Sequence, residues 1–179
     1  MRQRIGAVLL AVAVLATNAI AGGTFTLDGN NTKIEFIGTK PGGKHTGGFK
    51  NLTGKASGGD ATDLKLEVEI DTTSMYTDTA KLTNHLKSAD FFEVKTYPKA
   101  KFVSTKVEKA KEGYTVTGEL TLHGKTKTIS FPAAIAVAAD AVTLNSTFTI
   151  DRQDFGISFG AGKVDDTVTI KVAVNAKKQ

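Results

Sequence analysis

The chain of 179 residues has no cysteine. That excludes disulfides, thiolate metal sites, iron–sulfur clusters and a cysteine nucleophile. Tryptophan is also absent, and there are three histidines, at positions 45, 85 and 123. No short-spaced pair joins them, so the sequence offers no histidine-rich metal motif. Serines 74, 88 and 158 lie in no Gly-x-Ser-x-Gly elbow. The glycine-rich Gly160-Ala161-Gly162-Lys163 lacks the spacing and the following helix of a phosphate-cradling loop. Excess charge of one sign is missing too. The formal +5 includes Arg2 and Arg4, and without them 21 basic residues face 18 acidic ones. A surplus so small and so interleaved argues against nucleic-acid binding.

What is present begins with a leader-like segment. Arg2 and Arg4 precede an apolar run of 12 residues, Ile5–Ala16, and Ala19-Ile20-Ala21 follows with the small-x-small pattern of a cleavage site. This reads as a secretory signal peptide over residues 1–21, cut after Ala21. The run is too short to cross a bilayer as a helix, which needs about 20 residues. The expected mature chain is Gly22–Gln179, with no later apolar run long enough to span a membrane. The short arginine-led leader is bacterial in style and points to the periplasm.

Period-two alternation dominates the rest, as half-buried strands require. Leu64, Leu66, Val68 and Ile70 alternate with lysine and glutamate. Val142, Leu144, Phe148 and Ile150 alternate with threonine and asparagine, and Val168, Ile170, Val172 and Val174 do likewise. Shorter runs hold Phe25/Leu27, Ile34/Phe36, Ala100/Phe102, Val116/Leu120 and Ile129/Phe131. Turn signals such as Asp28-Gly29-Asn30-Asn31 and His123-Gly124 separate them. Only Asp78–Ser88 has a helical pattern, with Leu82 and Leu86 on one face, His85 beside them and Asp78 or Thr79 as N-cap. A single all-β domain with one short helical segment follows. About eight antiparallel strands bury one face best as a closed barrel, with a sandwich as the rival arrangement.

Four stretches in order carry a family resemblance. They are Asn84–Val94 with Tyr97–Phe102, then Gly118–Lys127, then Asp151–Ile157. In order and spacing they resemble the YceI-like family of polyisoprenoid-binding, lipocalin-like periplasmic proteins, over essentially all of Gly23–Ala176. The resemblance implies an eight-stranded antiparallel lipocalin-like β-barrel holding a long-chain isoprenoid, quinone-like or other amphiphilic lipid. The chain departs from the commoner family pattern at Gly38–His45, which is rich in glycine and lysine.

The inward-parity residues Phe36, Phe49, Leu66, Phe102, Leu120, Phe131 and Phe148 are candidates to line a lipid channel, although alternation alone favours a packed core. Small residues of the same parity, among them Ser104 and Ser146, would leave the room that a ligand needs. Arg152, the sole arginine after residue 21, offers a planar fork to a ligand phosphate or carbonyl. The competing and stronger reading is an ion pair with Asp90, Asp151 or Asp154 that pins the helical segment. His85 is a candidate for the head group at the pocket mouth, or a packing residue.

The resulting expectation is a non-enzymatic lipid-binding protein with no cofactor other than its bound lipid. It has no nucleic-acid partner and no stable membrane insertion. The oligomeric state is open, a homodimer included. The rivals are a self-filled barrel acting in structure or stress response, and an enzyme acting on the lipid.

Overall fold

Turn chemistry and alternation cut residues 22–178, which the computed structural model describes, into eleven strands and one short α-helix. Residues 1–21, read above as the leader, lie outside the described part. The strands are β1 (Gly23–Asp28), β2 (Thr32–Lys40), β3 (Gly43–Phe49), β4 (Leu52–Gly58), β5 (Lys65–Asp71) and β6 (Met75–Thr77). After the helix α1 (Ala80–Lys87) come β7 (Lys99–Lys109), β8 (Tyr114–Leu122), β9 (Lys125–Val137), β10 (Ala141–Asp151) and β11 (Thr167–Lys177). No described helix is long and apolar enough to cross a membrane.

All the strands join one antiparallel sheet in the order β1-β4-β5-β7-β8-β9-β10-β11-β2-β3-β6. The sheet curls into a half-barrel whose ladder stays open between β1 and β6. This corrects the expected eight-stranded closed barrel. The additional strands are β3, β4 and β6, and their sequences hide them. A Cβ on Gly48 would lie 2.8 Å from the Ile34 carbonyl, and one on Gly47 would run into the Phe36 ring. Glycine is there so that backbones and rings can approach, which erases the apolar alternation that marks a strand. The three residues of β6 are too few to show a period.

The two-residue link from β3 to β4 carries the chain between opposite ends of the strand order and so holds the curl. The β8–β9 hairpin turns on His123 (φ 51°) and Gly124 (φ 72°), both left-handed. That is the geometry of a two-residue turn matching strand twist.

Alternation places the core where expected. Phe25, Leu27, Val116, Val142 and Leu144 are almost wholly buried on the concave side. Helix α1 buries no residue completely. Its first turn is capped by Thr79, whose hydroxyl accepts from the Leu82 amide at 3.2 Å, and its Leu82/Leu86 face turns toward the concave side of the sheet.

Candidate functional site

The concave face is not filled by its own side chains. A cavity of about 390 Å³ runs from Leu27, Thr32 and Val174 at the deep end to Lys40, His45 and His85 at the mouth. Its size falls in the range of small-molecule sites. The walls are aliphatic and aromatic. Phe131 stacks on Phe148 with ring centroids 4.4 Å apart and planes 10° from parallel, and Phe102 tilts against Phe131 at 5.5 Å. Phe36 and Phe49 meet at 5.9 Å on the opposite wall. Among the described residues, the polar side chains on the lining are Thr32, deep inside, and those of the mouth. A lining of this kind favours apolar occupants.

The structure places Phe36, Phe49, Leu66, Phe102, Leu120, Phe131 and Phe148 on the lining, together with His85 and Arg152. Ser104 and Ser146 do not line it, and the reading of them as ligand room is corrected. Each hydroxyl instead extends a ladder just where backbone pairing stops. Ser104 Oγ accepts from the Leu66 amide at 2.8 Å, one step beyond the last β5–β7 pair, Glu67 with Val103. Ser146 Oγ donates to the Pro132 carbonyl, one step beyond the last β9–β10 pair, Asn145 with Ala134. Gly118, of the same parity, is occupied space as well, because the Phe102 ring lies over it.

Arg152 reaches the lining but has nothing left to offer a ligand. It is 5% exposed, and all five of its N–H donors are taken. Nε donates to the Asp165 carbonyl at 3.1 Å, and Nη1 to the Ile157 and Phe159 carbonyls at 2.7 and 2.9 Å. Nη2 donates to the Val164 carbonyl at 3.1 Å and to Asp166 Oδ1 at 2.8 Å. Its acidic partner is therefore Asp166, rather than Asp90, Asp151 or Asp154. What it pins is the loop from Ile157 to Asp166, and not the helical segment.

The mouth is built from that loop, the β2–β3 hairpin and α1. His85 Nε2 lies 2.9 Å from Asp90 Oδ2, and its ring meets Phe91 and Phe159 edge-on, each at 5.1 Å. His45, on β3 and not in a loop, has Nδ1 2.9 Å from Asp78 Oδ2 and so ties the entry of α1 to the sheet. His123 lies apart from both. Its Nδ1 is 3.1 Å from the Phe155 carbonyl and its ring packs on Tyr97 at 4.5 Å. The three histidines thus take three separate partners.

No hydroxyl among the described residues hydrogen-bonds to any of these imidazoles, so the nucleophile–base contact of hydrolytic sites is not formed here. The displaced ionisations also lie elsewhere. Glu67 is held below the ordinary carboxylate range by its hydrogen bond from Lys101 and then by Lys55. Asp60 and Asp71 are lowered chiefly by the hydroxyls of Thr62 and Thr73. None of these acids lines the cavity. The arrangement provides apolar enclosure with a polar entrance.

Sequence reasoning missed several lining residues. Ile170 and Val172 on β11 alternate clearly and were legible. Phe159 and Val164 lie in an irregular glycine-rich loop whose position depends on Arg152, and no local pattern signals them.

The comparisons with known proteins agree with this architecture. The model of the YceI-like domain matches residues 25–176. A UPF0312 protein of Pseudomonas putida (strain W619) is 37% identical over 142 residues, covering 74% of this chain and 73% of its own. One from Pseudomonas fluorescens is 31% identical over 195 residues, covering 99% and 98%. Burkholderia cenocepacia BcnA is similar in structure at a TM-score of 0.74 with 27% identity, over 81% of this chain and 96% of that one. A polyisoprenoid-binding domain from Saccharophagus degradans shares the fold at a TM-score of 0.69 with 17% identity, over 88% and 99%. With its half-barrel, its apolar cavity and these relatives, the chain belongs to the YceI-like domain family.

Proposed function

We propose that this protein is a non-enzymatic carrier that holds the hydrocarbon chain of an isoprenoid, quinone-like or similar amphiphilic lipid in the half-barrel. The observation that carries this reading is the continuous apolar lining of the 390 Å³ cavity, with polar side chains gathered at its entrance. The polyisoprenoid-binding neighbour from Saccharophagus degradans supports the same ligand class. Burial of each methylene stabilises the complex by roughly 0.8 kcal/mol, so a prenyl chain needs no strong polar contact, although affinity saturates well below that sum. Because Arg152 is fully engaged within the protein, the head group is left to the mouth or to solvent. The signal-peptide pattern read in the sequence over residues 1–21 supports a periplasmic setting for this carrier, where an apolar chain must be shielded from water.

Extraction of the purified native protein, followed by mass spectrometry of the extract, tests this reading. A stoichiometric intact lipid is the expected result. A protein that carries no lipid would favour a structural or stress-response role, and turnover of an added lipid would favour an enzyme.

A further inference from the structure

Two loops stand side by side at the mouth, and both are unusual in sequence. The tip of the β2–β3 hairpin reads Lys40-Pro41-Gly42-Gly43-Lys44, and the tip of the other loop reads Phe159-Gly160-Ala161-Gly162-Lys163-Val164. They are bonded to each other, with the Asp165 amide donating to the Thr39 carbonyl at 3.0 Å and the Thr39 hydroxyl donating to the Asp165 carboxylate. Arg152 clamps both stems of the second loop through the carbonyls of Ile157, Phe159, Val164 and Asp165. The tip closes on itself as Lys163 and Val164 donate to the Gly160 carbonyl, each at 2.8 Å, with Gly160 and Gly162 left-handed. A finger therefore stands at the entrance, and its Phe159, 45% exposed, is the more exposed of the two large apolar side chains open to solvent among the described residues.

The carboxylates of this rim are engaged within the protein, whereas three of its lysines are not. Asp78 and Asp90 hydrogen-bond to His45 and His85, Asp166 pairs with Arg152, and Asp165 accepts from Thr39. Lys40, Lys44 and Lys163 are exposed and form no ion pair among the described residues. The lysines that do pair with carboxylates, Lys55, Lys99, Lys101 and Lys106, belong to β4 and β7.

We propose that this rim is a docking surface for an anionic lipid bilayer. Phe159 and the small residues of the finger enter the interface, while Lys40, Lys44 and Lys163 meet the charged head groups. Interfacial binding needs this pairing of apolar insertion with basic flanks. Docked in this way, the cavity opens directly onto the membrane. The proposal concerns the surface alone, and its test does not require the cavity to be filled.

The chain has no tryptophan, so a single introduced indole reports its own environment. Ala161→Trp at the finger and Lys111→Trp at the β7–β8 turn, at the far end of the sheet, are each mixed with two kinds of vesicle. One is phosphatidylcholine alone and the other is phosphatidylcholine with phosphatidylglycerol. The expected result is a blue-shifted emission of Ala161→Trp on the anionic vesicles only, with Lys111→Trp unchanged. Reversing the rim charges with Lys40→Glu/Lys44→Glu/Lys163→Glu lowers vesicle partitioning by at least about a hundredfold, since the loss of three lysine–surface attractions gives that alone and the new carboxylates add repulsion. Lys109→Glu/Lys111→Glu/Lys177→Glu, at the far end, changes net charge equally and retains most of the partitioning. All variants share one N-terminus, so their differences report the rim. The proposal is overturned by an unshifted Ala161→Trp, by equal losses in the two triple variants, or by a shift that grows with protein concentration without vesicles, since a second copy would then cover the rim.

Discussion

The ring of Phe102 occupies the space over Gly118, where a Cβ atom would lie 2.5 Å from its Cζ. These residues stand two pairs apart in the β7–β8 register, where Phe102 faces Leu120 and Gly118 faces Ser104. The glycine sets how far the Phe102 ring withdraws from the cavity, so the volume of the site depends on a residue that is not on its lining. Gly118→Ala is expected to push the ring inward and to crowd the Val103 carbonyl oxygen, also 2.5 Å from that Cβ, lowering stability by about 1–3 kcal/mol and reducing bound lipid. Denaturant unfolding and lipid extraction on the same preparation check both effects. An unchanged unfolding midpoint with full lipid content would show that the ring has room to move elsewhere.

Arg152→Lys keeps the charge and loses the fork. A lysine has three donors, too few for four carbonyls and a carboxylate. Breaking a buried pair outright costs about 3–5 kcal/mol; here the charge is kept and Asp166 is 42% exposed, so the loss is smaller, but chemical denaturation will register it as a lower midpoint. Because the arginine holds the mouth loop and not a ligand, lipid retained per folded molecule should fall only with the loop. A wild-type midpoint combined with lost lipid would return Arg152 to the ligand.

Ser146→Phe separates hydrogen bonding from cavity lining. Ser146 is 9% exposed and its hydroxyl satisfies the Pro132 carbonyl. A phenyl ring there overpacks the β9–β10 junction and leaves an acceptor unpaired, a cost of about 1–3 kcal/mol. The expected outcome is a lower melting temperature with lipid binding retained. Loss of lipid at unchanged stability would place Ser146 on the ligand after all.

Glu67 supplies a pH dependence with a defined sign. Its carboxyl is held below the ordinary range by Lys101 and then by Lys55, so its contribution is present above that range and is lost as pH falls through the folded value. Glu67→Gln should therefore reduce stability slightly at neutral pH and make no difference well below the carboxylate range. Denaturation curves of both proteins at the two pH values test this. A gap that widens on acidification would contradict the assignment.

Alternating strands such as β10 and β11 were legible because each buries one face against the cavity and wets the other. The β3 and β4 strands were not, since Gly47, Gly48 and Gly54 serve close approach and leave no apolar period. The aromatic walls followed from parity. Ser104 and Ser146 have the size and parity of residues that widen a pocket, but their hydroxyls are committed to backbone groups, which neither size nor parity reveals. Arg152 drew notice as a lone guanidinium, yet its partners are carbonyls across a loop, and no local spacing records them. Phe159 became part of the mouth only through that clamp.

Whether the cavity holds a hydrocarbon chain is tested most directly at Ile170. In the sheet register Ile170 stands between Phe148 on β10 and Phe36 on β2, facing the cavity. Ile170→Trp places an indole in that space. Wild type and variant, purified in parallel, are weighed intact under native conditions. Wild type is predicted to carry one added mass, released on unfolding and identifiable as a long-chain lipid, while the variant is folded and bare. A wild type that weighs no more than its polypeptide, or a folded variant that carries the same lipid, would contradict the account.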